Sequence, residues 1–356
     1  MSPMFVPGPV DVAAEVLQQQ TRPMLPHRNK DFETIFQRSI DKLRQLFYTQ
    51  YRVFIMTNSG SGAQEACVRN LAQSRVLCCV NGAFSKRWFD VAVANGKQTD
   101  KLEVPMGQAI LPDQVAEALH KQKYDLITLV HNETSTGVQN PVKEITELVH
   151  KVSPETMVAV DAVSSLGGAK IEMDAWELDI LFTSSQKCLA LPPGLALCAV
   201  NDRAMERAAQ VPNRGWYFDF ILLEKHRNKD STPMTPAMSL IFALDYQLDR
   251  ILAEGLDKRF ARHTAMARRS QEWALKKGWP LYAAEGYRSQ TLTVVSNPPE
   301  FDCTEFNKFM APKSIRLANG YGDLKGKTFR IAHMGEIQPK DLEDLLSGLD
   351  AYMQTK

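Results

Sequence analysis

The 356-residue chain can bury a large core, so two domains, or one large domain with an appendage, are expected. Its 42 basic and 41 acidic residues nearly cancel, which leaves no overall field to gather nucleic acid or an anionic membrane surface. The six cysteines form no CxxC pair and no regular framework, which argues against a structural zinc or a disulfide scaffold, and no apolar run approaches the roughly 20 residues of a membrane helix.

In chain order, residues 1–10 carry prolines at 3, 7 and 9 and read as an extended arm that must pack on something. Residues 31–48 repeat apolar side chains at helical spacing, with Phe32, Ile35, Phe36, Ile40 and Leu43 on one face. Strand-like and helix-like segments then alternate. Apolar strands are expected at VFIMT (53–57), RVLCCV (75–80), LITLV (126–130), MVAVDAV (157–163), DILFTS (179–184) and LALCAV (195–200), with helices from about Ala63, Ser85 and Val142. Nearly continuous apolar strands between amphipathic helices imply a parallel sheet covered on both faces, an open α/β architecture with ligands at the carboxyl ends of its strands. Helices dominate from Met238 to about Lys277. Strands return at TLTVVS (291–296) and KTFRIAHM (327–334), and a helix closes the chain from Pro339 to Met353, which suggests a smaller α+β unit.

The residues that carry chemistry fall at the expected strand ends. NSGSGAQEA (58–66) follows the first strand as a Gly- and Ser-rich turn opening a helix. It suits a phosphate cradle and equally an ordinary N-cap. Phe84, after the second strand, can stack on a planar ring or serve as a core aromatic. Hydroxyls at Thr134, Ser135 and Thr136 follow the third. Asp161 ends a buried strand and needs a cation, a proton or a helix to cap. Lys187 follows 26 residues later in FTSSQKCLALPPG, among small hydroxyl and apolar residues rather than charges. Desolvation there would favour the neutral amine of a nucleophile; a structural lysine is the alternative. A lysine, an acid, a phosphate cradle and a stacking ring form the kit that pyridoxal phosphate requires.

The chain resembles the class V aminotransferases of fold type I, in the branch of alanine–glyoxylate and serine–pyruvate aminotransferases. The landmarks run in order along nearly the whole chain: PGP (7–9), HR (27–28), SGSGAQEA (59–66), NGAFSKRW (81–88), ETSTGV (133–138), DAVSSLGG (161–168), SSQK (184–187), PPG (192–194), TPMTP (232–236) and FRIAHMG (329–335). The resemblance implies a large domain over 16–250 with a mostly parallel seven-stranded sheet, a smaller α+β domain over 251–356, and an arm over 1–15. It implies that Lys187 binds the aldehyde of pyridoxal 5′-phosphate and Asp161 its ring nitrogen, with Val163 and Phe84 on the two ring faces. Ser59, Gly60, Ser61 and Gln186 would take the phosphate, Thr134 would lie near the ring hydroxyl, and Arg330 would hold the substrate carboxylate. Thr235 would reach the phosphate of a neighbouring subunit, because the family places its active sites at a homodimer interface. Many relatives carry Trp at the position of Phe84, so the stacking face is smaller here.

The implied function is ping-pong transfer of an amino group from alanine or serine to glyoxylate or pyruvate, in the cytoplasm and without a metal. Arg28, Lys86, Arg87 and Arg214 keep an anionic donor, aspartate or phosphoserine, open. A cysteine desulfurase-like lyase is the rival within the fold, with Cys303 the one cysteine in the last third of the chain. A non-catalytic partner subunit is the rival outside it.

Overall fold

The computed structural model describes residues 3–356. Its main sheet has seven strands in the spatial order Arg52–Met56, Ala196–Val200, Ile180–Ser184, Met157–Asp161, Leu126–Val130, Arg75–Val80 and Gln98–Glu103. Ala196–Val200 is antiparallel to both neighbours and the other pairings are parallel.

The apolar runs are continuous because both faces are covered, and alternation within each run divides the side chains between two cores. Val53, Ile55, Leu77, Ile127, Leu129, Val158, Val160 and Leu197 enter one core beneath the helices Lys30–Phe47, Val142–Val152 and Met238–Glu254. Phe54, Met56, Val76, Cys78, Leu126, Ala159, Phe182 and Cys198 enter the other beneath Gly60–Leu71 and Ala83–Ala94. The seventh strand, Gln98–Glu103, reads QTDKLE and escaped sequence inspection because it has no apolar run. It pairs on one side only, and a polar, charged edge is what keeps a sheet margin from recruiting further strands.

A second sheet has the order Met4–Phe5, Arg316–Asn319, Thr328–Ala332, Leu292–Ser296. It packs against the helices Leu256–Lys276 and Pro339–Met353 around Phe306, Phe329, Leu345 and Leu349. Part of the amino-terminal arm thus belongs to this sheet: Met4 and Phe5 pair in parallel with Arg316 and Leu317, and Phe5 is fully buried. Helix Met238–Glu254 packs on Lys30–Phe47, whereas its successor Leu256–Lys276 packs on the terminal helix. The change of partner falls at Gly255, at φ +87°.

Candidate active site

Five strand ends meet in one cavity of about 220 Å³. Strand Arg52–Met56 delivers Ser59, Gly60 and Ser61; Arg75–Val80 leads to Phe84; Leu126–Val130 to Thr134; Met157–Asp161 to Asp161 and Val163; and Ile180–Ser184 to Gln186 and Lys187. Each parallel strand ends in the same direction, so the sheet itself gathers residues separated by more than a hundred positions.

The loop bearing Lys187 is held from several sides. Ser185 N–H donates to Leu195 O at 3.0 Å, Ser185 Oγ donates to Pro192 O at 2.7 Å, and Leu191 N–H returns to Ser185 O at 3.0 Å. Buried Arg259 donates to Cys188 O at 2.8 Å and Gly167 O at 2.9 Å, and Gln247 donates to Leu189 O at 3.0 Å. Ser185 therefore ties the loop and does not line the cavity, unlike Ser184 and Gln186 on either side. The amino-terminal arm lies directly against the lysine. Its Nζ donates to Pro7 O, and a Cβ on Gly8, at φ +98°, would stand 2.5 Å from Lys187 Cδ. Burial, followed by the charge of Arg330, pushes the Lys187 ammonium down to about 8.

Asp161 is 5% exposed and accepts from Val163 N–H and Gln64 Nε2, each at 2.9 Å, with no cation in ion-pair range among the described residues. Desolvation outweighs these two hydrogen bonds and pushes the carboxyl up to about 6. A buried acid without an ion pair among the described residues fits a cationic ligand. Four more polar atoms in the cavity wall, Gln64 Oε1, Asn132 Oδ1, Ser184 Oγ and Gln186 Oε1, are buried without a hydrogen-bond partner among the described residues. Unmet donors and acceptors concentrated in one cavity indicate a polar ligand. At the cradle, a Cβ on Gly60 would stand 2.8 Å from Val163 Cγ2, so only glycine lets the helix start come this close. These residues fit pyridoxal phosphate.

Of the predicted residues, Ser59, Gly60, Ser61, Phe84, Thr134, Asp161, Val163, Gln186 and Lys187 all line the cavity. Arg330 stands behind its wall. Its Nε donates to Asn319 O at 2.9 Å, its Nη1 reaches Thr134 O at 3.5 Å, and it has no carboxylate partner among the described residues. Burial lowers the guanidinium to about 10. Thr235 is exposed and does not line the cavity of its own chain.

Sequence inspection passed over several neighbours. Gln64 positions Asp161, one helical turn beyond the cradle. Buried Glu133 accepts from the backbone N–H groups of Phe84 and Ser85 at 3.1 and 2.8 Å, fixing the start of the helix that carries Phe84. A Cβ on Gly82 would stand 2.5 Å from the Glu133 carboxyl carbon, so this contact also requires a glycine. Tyr321 stacks on Phe84 at 5.1 Å and lies over Arg330 at 5.6 Å. Only Gln64, at a fixed offset from the cradle on a helix, left a legible trace in the sequence.

The Aminotransferase class-V family model matches residues 12–320. An uncharacterised aminotransferase of Methanocaldococcus jannaschii is 37% identical over 95% of this chain and 89% of its own length. The small subunit of a soluble hydrogenase of Synechococcus is 35% identical over 98% of this chain and 92% of its own, and the L-aspartate-glyoxylate aminotransferase of Paracoccus denitrificans is 31% identical over 94% and 87%. Among solved structures, an alanine-glyoxylate aminotransferase of Nostoc matches with a TM-score of 0.91 and 29% identity, covering 98% of this chain and 94% of the other. An aspartate aminotransferase of Thermus thermophilus has the same TM-score and identity, covering 99% of both chains. The chain therefore belongs to the class-V aminotransferases and uses their cofactor, pyridoxal 5′-phosphate.

Proposed function

We propose that the protein moves the amino group of a small neutral amino acid, alanine or serine, to glyoxylate or pyruvate in two alternating half-reactions. The observation that carries this reading is the supply of cations around the cavity. Arg330 is a buried cation beyond its wall with no carboxylate partner among the described residues, and it suits one substrate carboxylate. Lys86 and Arg214, which could have gripped a second one, are engaged by Asp90 at 3.1 Å and Asp219 at 3.0 Å, and Arg28 is exposed outside the cavity lining. Glyoxylate as acceptor is supported by the named activities of the Paracoccus and Nostoc relatives.

When bound, the cofactor supplies an electron sink for the bond being broken at the donor Cα. The chain's residues do the rest. Lys187 would hold the cofactor aldehyde, and its neutral amine would accept the Cα proton at Nζ. Asp161 would keep the ring nitrogen protonated, Arg330 would orient the donor carboxylate, and Phe84 and Val163 would hold the ring between them. The reading also makes the protein a cytoplasmic homodimer in which Thr235, exposed on its own chain, contributes to the neighbouring phosphate site.

An aspartate donor is the second reading, favoured by Arg87 in the cavity lining. Cysteine desulfuration is disfavoured by Cys303, which sits on helix Cys303–Phe309 with burial pushing its thiol up to about 11.

The test is an absorbance titration of the cofactor-loaded protein with L-alanine, L-serine, L-aspartate and L-phosphoserine in turn, followed by glyoxylate. Alanine or serine should bleach the visible band and glyoxylate restore it. Bleaching by aspartate alone would replace the donor class, and bleaching by none of them would end the transaminase reading. Arg330→Met should raise the donor KM by about 10- to 100-fold, the worth of a hydrogen-bonded charge pair, while leaving the cofactor band in place. An unchanged KM would release Arg330 from the carboxylate.

A further inference from the structure

We propose that Arg87 is the counter-cation of the cofactor phosphate, a role that rests on the cavity being the cofactor site. Arg87 lines the cavity beside the cradle, its Nη1 donates to Ser61 Oγ at 3.3 Å, and no carboxylate among the described residues lies within ion-pair range of it. The nearby Lys86 has Asp90, so the helix Ala83–Ala94 presents one neutralised cation to solvent and one free cation to the site.

The charge balance favours this assignment. A bound phosphate ester carries close to two negative charges near neutral pH, and the start of helix Gly60–Leu71 offsets only about half of one. Serine hydroxyls and backbone N–H groups donate hydrogen bonds without adding net charge. The buried, unpartnered Ser184 Oγ lies 3.8 Å from the Cβ position of Gly60, which places an unmet polar group at the same helix start. A guanidinium supplies the missing charge with a planar fork that suits phosphate oxygens.

Helical spacing explains the placement. Phe84 and Arg87 are three residues apart and therefore share a face, with Arg87 Cζ 5.1 Å from the Phe84 ring centre. One helix, anchored at its start by Glu133, can thus present the stacking ring and the phosphate cation as a unit. With Lys187 given to the aldehyde, this assignment leaves no further cation among the described residues of the cavity lining for a side-chain carboxylate, which agrees with a small neutral donor.

The experiment compares pyridoxal phosphate with pyridoxal, which has the same aldehyde and ring but no phosphate. Purified protein stripped of cofactor is titrated with each, and binding is read from the visible band that appears when the aldehyde joins a protein lysine. Arg87→Met should weaken pyridoxal phosphate by about 10- to 100-fold and leave pyridoxal nearly unchanged, and Arg87→Lys should recover much of the loss because it restores the charge. Inorganic phosphate should also compete less effectively against pyridoxal phosphate in the Met variant. Equal weakening of both ligands would make Arg87 structural and overturn the proposal. So would unchanged cofactor affinity with a raised KM confined to aspartate, which would make Arg87 a side-chain clamp. If the parent protein bound both ligands equally, or if Lys187→Ala still gave the band, the cavity assignment itself would fall rather than the role of Arg87 alone.

Discussion

Lys187→Ala should lower turnover by more than about 10³-fold with every amino donor while leaving a folded protein, because in the proposed role one side chain supplies both the covalent anchor and the mobile base. Burial and the Arg330 charge bring its ammonium from 10.5 down to about 8. At pH 7 about a tenth of the lysine is then neutral, against about one part in three thousand for an unperturbed side chain. Among the described residues no other lysine lines the cavity to take its place. The sign of the stability effect follows from the same shift. A base whose folded pKa lies below its unfolded value destabilises the fold while it remains protonated, and this contribution fades as pH rises from about 8 to 10.5. The alanine variant loses that pH dependence together with the stem contact to the Gly8 arm, so thermal melts at pH 7 and pH 10 should differ less than those of the parent protein. A folded variant with near-normal turnover would remove Lys187 from the chemistry.

The main sheet was largely legible because parallel strands buried on both faces must be apolar along their whole length. RVLCCV, LITLV and MVAVD can hardly be anything else between amphipathic helices. Elements whose stability comes from the far side of the molecule were not legible. Gln98–Glu103 is a strand because Arg75–Val80 offers it a hydrogen-bonding edge, and Met4–Phe5 is a strand because Arg316–Leu317 offers one more than 300 residues away. Neither has a local pattern that requires the extended state.

In the site, legibility followed chemistry more than position. Asp161 and Lys187 stood out because a charge embedded in an apolar strand-and-loop setting demands a reason. Arg87 and Lys86 looked alike in the sequence, and only the helix phase and the presence of Asp90 separate a cavity cation from a surface ion pair. Tyr321 lies nine residues before Arg330 in an otherwise undistinguished loop. Its position over that arginine and against Phe84 is a product of the small sheet meeting the large one.

Asp161→Asn should separate stability from activity in opposite directions. Removing a carboxylate that faces a buried cation costs about 3–5 kcal/mol of interaction, which corresponds to about 10²- to 10⁴-fold in rate if that interaction is used at the transition state. Without the cofactor the same carboxylate destabilises the chain. Its pKa is raised from 3.8 to about 6 chiefly by burial, so the folded state favours the proton and loses stability as pH rises from about 4 through about 6. A rise from 3.8 to about 6 corresponds to about 3 kcal/mol at pH 8. Asparagine is nearly isosteric, can still accept from Val163 N–H, and can donate to Gln64 if that amide turns its unpartnered Oε1 inward. The cofactor-free variant should therefore melt above the parent at pH 8 and close to it at pH 4, with the order reversed once pyridoxal phosphate is added. A variant equally destabilised at both pH values would show that Asp161 serves the fold. The expected crossing instead means that the fold tolerates a desolvated charge whose compensation arrives only with the ligand, and that the energy released when the two meet is available to hold the cofactor.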